Sequence, residues 1–141
     1  MEKLLQLLNV ALSMEHSAAI QYGAHAESVH GLFADTIMAR LKDSQHDEEK
    51  HADVLRGLIG DYLKGVPTME IVLTTPAMAI NSIITVNIAT EKEAVAQYQA
   101  VLEFMEENKT ELLPIYERVR HDVRKILREE QKHIAELERL Q

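Results

Sequence analysis

The sequence predicts an all-α fold, a four-helix bundle with one long crossover between its second and third helices. Three observations carry this. Only five Gly, three Pro and 4% aromatic residues occur among 141, beside 46% hydrophobic and 27% charged residues; long helices use such a composition, sheets and turns do not. Apolar residues recur at the helical period along four segments. One segment between them, GVPTMEIVLTTPAM at 65–78, breaks the period with two prolines and a β-branched run.

The first helix spans about Glu2 to His30 and closes at Gly31. Its start, MEKLLQLLNVALSMEHSAA, has the outline of a signal peptide, but Gln6 and Asn9 interrupt the apolar run and the period continues to Tyr22. The second helix spans about Phe33 to Lys64 and closes at Gly65. The 14 residues that follow, stretched out, cover about 45 Å, and a 30-residue helix is about 45 Å long. The crossover therefore runs the length of the bundle and makes helices two and three parallel. The third helix spans about Ala79 to Asn108. The fourth starts near Thr110 as N-cap, tolerates Pro114 in its first turn and runs to the end. Residues 1–141 are read as one domain. The net charge of −8 argues against a nucleic-acid surface. No stretch approaches the roughly 18 apolar residues of a membrane span, and the cytoplasm is the expected compartment. The absence of Cys excludes disulfides, thiolate zinc sites and cysteine-bound iron–sulfur centres.

Taken in sevens, each helix yields an inward seam. The seams are Leu8, Glu15, Tyr22 and Val29; Leu41, Glu48, Leu55 and Tyr62; Ile84, Glu91, Tyr98 and Met105; and Tyr116, Val123, Glu130 and Leu137. Adjoining seams are Ile37, Ser44, His51 and Leu58 on helix two, and Val119, Ile126, His133 and Leu140 on helix four. Four Glu and two His thus point inward. Glu15 and Glu48 lie nearly equally far from Gly31, and Glu91 and Glu130 from Thr110, so each pair is level. The chain also echoes itself. EHSAAIQY and EKEAVAQY share Glu-x-x-Ala-x-x-Gln-Tyr, and DEEKHADVL and EEQKHIAEL share Glu-x-Lys-His, which predicts a pseudo-twofold axis through the site. Four buried carboxylates with no Lys or Arg at their height repel one another. Two divalent cations neutralise them, and carboxylate with imidazole suits iron or manganese, with zinc open. A single Glu-x-x-His is an ordinary surface pattern; two copies with two further level Glu, all on the apolar seam, are not.

These residues resemble the ferritin-like superfamily of di-iron carboxylate proteins, and within it bacterioferritin most. The family pattern is Glu on helix one, Glu-x-x-His on helix two, Glu on helix three and Glu-x-x-His on helix four, matched by Glu15, Glu48 with His51, Glu91, and Glu130 with His133. EHSAAIQYGAHAES is similar to the first helix of bacterioferritin, Tyr22 included. The resemblance implies that Glu48 and Glu130 bridge two iron ions, with Glu15 and His51 completing one and Glu91 and His133 the other. It implies Fe(II) oxidation with O2 or hydrogen peroxide, and iron storage or detoxification where a cage forms. Haem-binding bacterioferritins carry Met directly after the helix-two glutamate; here Glu49 stands there, so no haem is expected through that ligand. Helix four runs to Gln141, so the short fifth helix of bacterioferritin is expected to be absent or vestigial, which argues against a 24-subunit shell. Rubrerythrins usually add a second helix-three Glu where this chain has Ala94, and they carry a Cys-bound module. A dimeric, rubrerythrin-like peroxide-reducing protein is the alternative, and a helical scaffold holding structural zinc is the non-enzymatic one.

Tyr22 is the candidate catalytic side chain, orienting a ligand or supplying an electron, with core packing as its other role. Tyr98, its pseudo-symmetry mate, is read as packing, and Gln21 and Gln97 as helix-surface residues. Asp47 and Glu129 are read as solvated charges, with steering of iron as the alternative. His16, His25, His30, His46 and His121 are read as surface or interface residues, with His25, His30 and Glu27 as a transient iron site. Helix one holds only four charged residues, Glu2, Lys3, Glu15 and Glu27, and Ile20 and Ala24 point away from its seam. A homodimer through helices one and two is therefore expected, as in the family, with higher assembly open.

Overall fold

The apolar seams assemble as the heptad pattern requires. Of the 24 seam positions named above, all are buried except Tyr62 and Leu140, which are half-buried. A computed structural model describes residues 1–141 as α1 (Glu2–Ala26), α2 (Ala34–Arg56), α3 (Ile80–Glu107) and α4 (Leu113–Arg139), with a π-helical segment, Gly57–Tyr62, prolonging α2. The fold is all-α, with one long crossover between α2 and α3. Helix α1 packs on α2, α3 on α4, and α1 also on α3. Leu8, Leu55, Tyr98, Met105 and Val123 belong to the larger apolar core. Tyr22, Leu41 and Ile83 form a second, with Ile84 and Leu137 in a third beside it. The polar seam residues lie between these apolar layers. No helix is long and apolar enough to cross a membrane.

Element ends differ from the expectations in four places. Helix α1 stops at Ala26, not His30, where the Glu27 N–H bonds to the Gly23 carbonyl and the Ser28 N–H to the His25 carbonyl. Val29 is buried from the connection that follows, which prolonged the apolar period past the helix end. Gly31 (φ +99°) and Phe33 (φ +66°) then turn the chain into α2. At the end of α2 the Leu63 N–H bonds to the Leu58 carbonyl and the Gly65 N–H to the Ile59 carbonyl, a widening of the last turns. Lys64 (φ +61°), not Gly65, takes the left-handed conformation. Gly65 serves close approach instead, since a Cβ there would sit 2.8 Å from the Leu5 side chain. Thr110 is not the N-cap of α4. Residues 108–112 form turns, the helix starts at Leu113, and its N-cap is Leu112 with no side-chain capping bond. Pro114, at the start of the helix, has no N–H to satisfy there.

The crossover lies along α1, held by a polar row at near four-residue spacing. Asn9 donates to the Val66 carbonyl and accepts from the Thr68 N–H. His16 Nδ1 meets the Glu70 carbonyl at 2.8 Å. The Ser17 hydroxyl engages both the N–H and the carbonyl of Val72. Gln21 accepts from the Thr75 N–H, and His25 Nε2 donates to the Thr75 carbonyl. An extended segment cannot satisfy its own backbone; here helix side chains do so. Gln21 and His25 are therefore not surface residues. Both are buried, Gln21 also donating to Asn87 and Thr90 of α3. His25 Nδ1 accepts from Asn87, burial keeps its pKa below the usual value, and both its ring nitrogens are engaged. It lies beneath the crossover, apart from exposed His30, so the transient iron site with His30 and Glu27 does not form. Gln97 is half-buried and donates to the Leu7 carbonyl of α1.

Candidate metal centre

At mid-height each helix turns a polar side chain inward, and the six meet. Glu15 from α1, Glu48 and His51 from α2, Glu91 from α3, and Glu130 and His133 from α4 are all buried. They fall into two sets of donor atoms, each lying within 4.8 Å of one another. One set is Glu15, Glu48, His51 and Glu130; the other is Glu48, Glu91, Glu130 and His133. Glu48 and Glu130 belong to both. His51 Nδ1 lies 3.1 Å from Glu130 and 3.3 Å from Glu15. His133 Nδ1 lies 3.0 Å from Glu48 and 3.5 Å from Glu91. The two imidazole centroids are 6.2 Å apart.

An outer ring of hydrogen bonds decides which atoms remain free. The Tyr98 hydroxyl of α3 donates to Glu15 Oε1 of α1, and the Tyr22 hydroxyl of α1 donates to Glu91 Oε1 of α3, both at 2.9 Å. His133 Nε2 of α4 donates to Asp47 of α2 at 2.9 Å, and His51 Nε2 of α2 donates to Glu129 of α4. A carboxylate on Nε2 fixes the tautomer with its lone pair on Nδ1, facing inward. Tyr98 is therefore more than packing, and Asp47 and Glu129 are more than solvated charges. Their signal was in the sequence echo: an acidic residue precedes both helix-two and helix-four glutamates, and a tyrosine follows both of the others by seven.

Eight buried atoms have no hydrogen-bond partner: Glu15 Oε2, Glu91 Oε2, both oxygens of Glu48, both oxygens of Glu130, and Nδ1 of His51 and of His133. They divide into two groups of four, each with one terminal oxygen, one imidazole nitrogen and one oxygen from each shared carboxylate. Native interiors rarely leave such atoms unpaired, and no Lys or Arg reaches them. Two cations of the carboxylate–imidazole class fit this donor set.

Without cations, protons carry the balance. Burial pushes Glu15 up to about 7 and Glu91 to about 8, with the Glu130 charge adding to both. Burial and the charges of Glu15, Glu130 and Glu91 push Glu48 well above the usual carboxylate range. Burial acts on Glu130 likewise, but the His133 and His51 imidazoles against it hold it well below that range. Burial disfavours both imidazolium ions, yet neighbouring carboxylates, Glu130 foremost, carry His51 and His133 up to about 11. Burial, then the nearby carboxylates, keep Tyr22 and Tyr98 protonated above the ordinary tyrosine range, so both remain donors.

Two clefts lead toward this layer. One of about 620 Å³ opens between α1, α2 and the crossover and reaches Glu15 past His16, Glu49, Arg56 and Met69. Another, of about 390 Å³, opens between α2 and α4 onto His51 and Glu129.

A family model described as "Ferritin-like domain" matches residues 3–139. The chain belongs to the ferritin-like domain family. Among solved structures, this ferritin-like chain is similar to a ferritin-like, diiron-carboxylate protein from Bacillus anthracis str. Ames. The two share 26% identity and superpose with a TM-score of 0.86, over 99% of this chain and 95% of that one. It also shares its fold with a dodecameric thioferritin, the bacterioferritin-related protein from Bacteroides fragilis. There the TM-score is 0.83 at 23% identity, over 97% of this chain and 83% of that one. No curated protein matches the ferritin-like chain by sequence.

Proposed function

We propose that residues 1–141 form one di-iron domain that oxidises Fe(II) with O2 or hydrogen peroxide, a ferroxidase serving iron storage or detoxification. The observation that carries this reading is the division of eight unpaired buried donor atoms into two matched groups of four. Glu48 and Glu130 would bridge the two iron ions; Glu15 with His51 and Glu91 with His133 would be terminal ligands. When bound, the pair supplies two electrons to the oxidant, one from each iron. The protein's own part is to hold charge and exclude water. Tyr98 and Tyr22 each hold one oxygen of a terminal carboxylate and leave the other free. Glu129 and Asp47 hold the imidazoles in the tautomer that offers Nδ1. The clefts at Glu15 and at His51 give small ions and oxidants access. The protein is further proposed to pair through α1 and α2, where Ile20 and Ala24 stand exposed and Ile20 shares a cleft with outward Met69 of the crossover.

Anaerobic addition of Fe(II) to the metal-free protein, followed by air, tests the reading. Two Fe(II) bind per chain, and diferric absorbance develops after air and is lost in Glu130→Ala. Binding of zinc with no oxidation of Fe(II) would refute the enzymatic role in favour of a scaffold. Oxidation by hydrogen peroxide but not O2, in a protein of dimeric mass, would refute storage in favour of a rubrerythrin-like role.

A further inference from the structure

Four hydrogen bonds beneath the crossover close into a circuit. The Thr75 N–H donates to Gln21 Oε1 at 2.9 Å, and Gln21 Nε2 donates to Asn87 Oδ1 at 3.1 Å. Asn87 Nδ2 donates to His25 Nδ1 at 2.8 Å, and His25 Nε2 donates to the Thr75 carbonyl at 2.9 Å. The circuit leaves the crossover at Thr75, passes through α1, α3 and α1 again, and returns to the same residue. Every bond runs in one direction, and backbone groups fix that direction. An N–H cannot accept and a carbonyl cannot donate, so Gln21 must offer its oxygen to the crossover and His25 its Nε2–H. Asn87 Nδ2 also donates to the Ile83 carbonyl, which fixes its amide in the same sense. Gln21, Asn87 and His25 are all buried.

Such a circuit holds one protonation state of His25. A second ring proton, on Nδ1, would face the Asn87 amide nitrogen, donor against donor. Turning Asn87 over sets its oxygen against the Ile83 carbonyl and its nitrogen against that of Gln21. Turning Gln21 in response sets its nitrogen against the Thr75 N–H. No rearrangement inside the circuit satisfies every member. An imidazolium there also lacks a counter-charge. The first carboxylate along α3, Glu91, is engaged by Tyr22. The one titratable side chain of the crossover, Glu70, stands five residues before Thr75. Between α1 and α2, Glu27 pairs with Lys42. Burial, against the pull of the Thr75 carbonyl, holds the imidazole below its ordinary value.

We propose that His25 is an acid-released latch: on taking up a proton it breaks the circuit, detaches the crossover at Thr75 and opens the space beneath onto Glu91. Thr75 is the last polar tie of the crossover before α3, and it stands exposed. Gln21, which the break sets free, lines a cavity of about 20 Å³ bounded by Val72 and Leu73 of the crossover and by Thr90 and Glu91 of α3. That is room for a single water. With the crossover lifted beyond Val72, solvent reaches the Glu91 half of the donor set from a side that the two clefts do not serve. The sign is opposite to that of Glu15 and Glu91, which hold protons more tightly in the folded centre. Acid therefore loosens the crossover while it firms the metal-free core. Opening begins below 6.5, the ordinary histidine value. Each further pH unit multiplies the open fraction by about ten, until the closed form itself takes the proton.

Hydrogen exchange of the full-length protein tests this, read as protection factors so that the intrinsic pH dependence of exchange is removed. Between about pH 6.5 and about pH 5 the Thr75 amide loses protection about tenfold or more, while amides of α2 and α4 keep theirs. His25→Gln can make the same two bonds without titrating, and its Thr75 protection stays level across the range. Nuclear magnetic resonance titration of the parent, which needs no variant, places the His25 imidazole below 6.5. Flat Thr75 protection in the parent, an equal acid loss in His25→Gln, or an imidazole that titrates at or above the ordinary value would each overturn the proposal.

Discussion

Stripping divalent metal from the protein with a chelator should expose the cost of its polar layer. Eight buried donor atoms then have no hydrogen-bond partner. An unpaired buried polar atom costs about 1–3 kcal/mol, so eight, taken at the lower end of that range, set a scale of roughly 10 kcal/mol, comparable to the whole stability of an ordinary domain. Protonated imidazoles offset part of this, since His51 and His133 Nδ1 lie 3.0–3.7 Å from the carboxylates. If half is offset, about 5 kcal/mol is lost, which for a chain of this size lowers Tm by about 15 °C. Far-UV circular dichroism melts of chelated and reloaded protein measure it, with metal returned in steps. Stability should recover up to two ions per chain and no further. Coincident melts of stripped and loaded protein would refute the reasoning, as would full recovery at one ion, because either result would mean the donor atoms are satisfied some other way.

The metal-free protein should also lose stability as pH rises. Glu15 and Glu91, raised to about 7 and about 8, and His51 and His133, raised to about 11, bind protons more tightly folded than unfolded. Their contribution is complete below the unfolded values and is lost as pH climbs through the folded ones. Tm of the stripped protein should therefore fall from about pH 5 through about pH 8 as the two carboxylates ionise, and on toward about pH 11 as the imidazoles lose their protons, while the depressed Glu130 acts only at acid pH; a flat or rising profile contradicts this. Tyr98→Phe removes the donor to Glu15 Oε1 and should weaken metal binding at that half by roughly 10- to 100-fold, read by competition with a chromogenic chelator against Tyr22→Phe as its mirror test. Glu129→Ala frees His51 to rotate, and a comparable loss of affinity is expected by the same assay. Ser17→Ala leaves both polar groups of Val72 unpaired in a part-buried setting and should cost about 2 kcal/mol; hydrogen exchange should quicken first in the crossover.

The bundle, its crossover and the meeting of six side chains were legible because each rests on a period. A seven-residue step places Glu15, Glu48, Glu91 and Glu130 on seams whatever the loops do, and level heights follow from distance to the turns. What escaped depends on neighbours that no period reveals. Gln21 and His25 look like surface residues on α1, and they are buried only because an irregular segment from elsewhere lies over them. Thr110 has the chemistry of an N-cap, but Pro114 and the intervening turns start the helix later. Tyr22 and Tyr98 were legible on the seams, seven residues after Glu15 and Glu91, but that each holds the other helix's carboxylate follows only from the packing of α1 on α3.

Every supporting bond at the centre crosses from one helical hairpin to the other: α3 to α1, α1 to α3, α2 to α4 and α4 to α2. Each group of four donors likewise draws three side chains from one hairpin and one from its mate. Neither half of the polypeptide, cut free, could assemble even a single ion's coordination. Metal uptake is thus a sensor of docking, silent until both halves have closed on each other, and a pair of separated halves that regained it would have rebuilt the native interface.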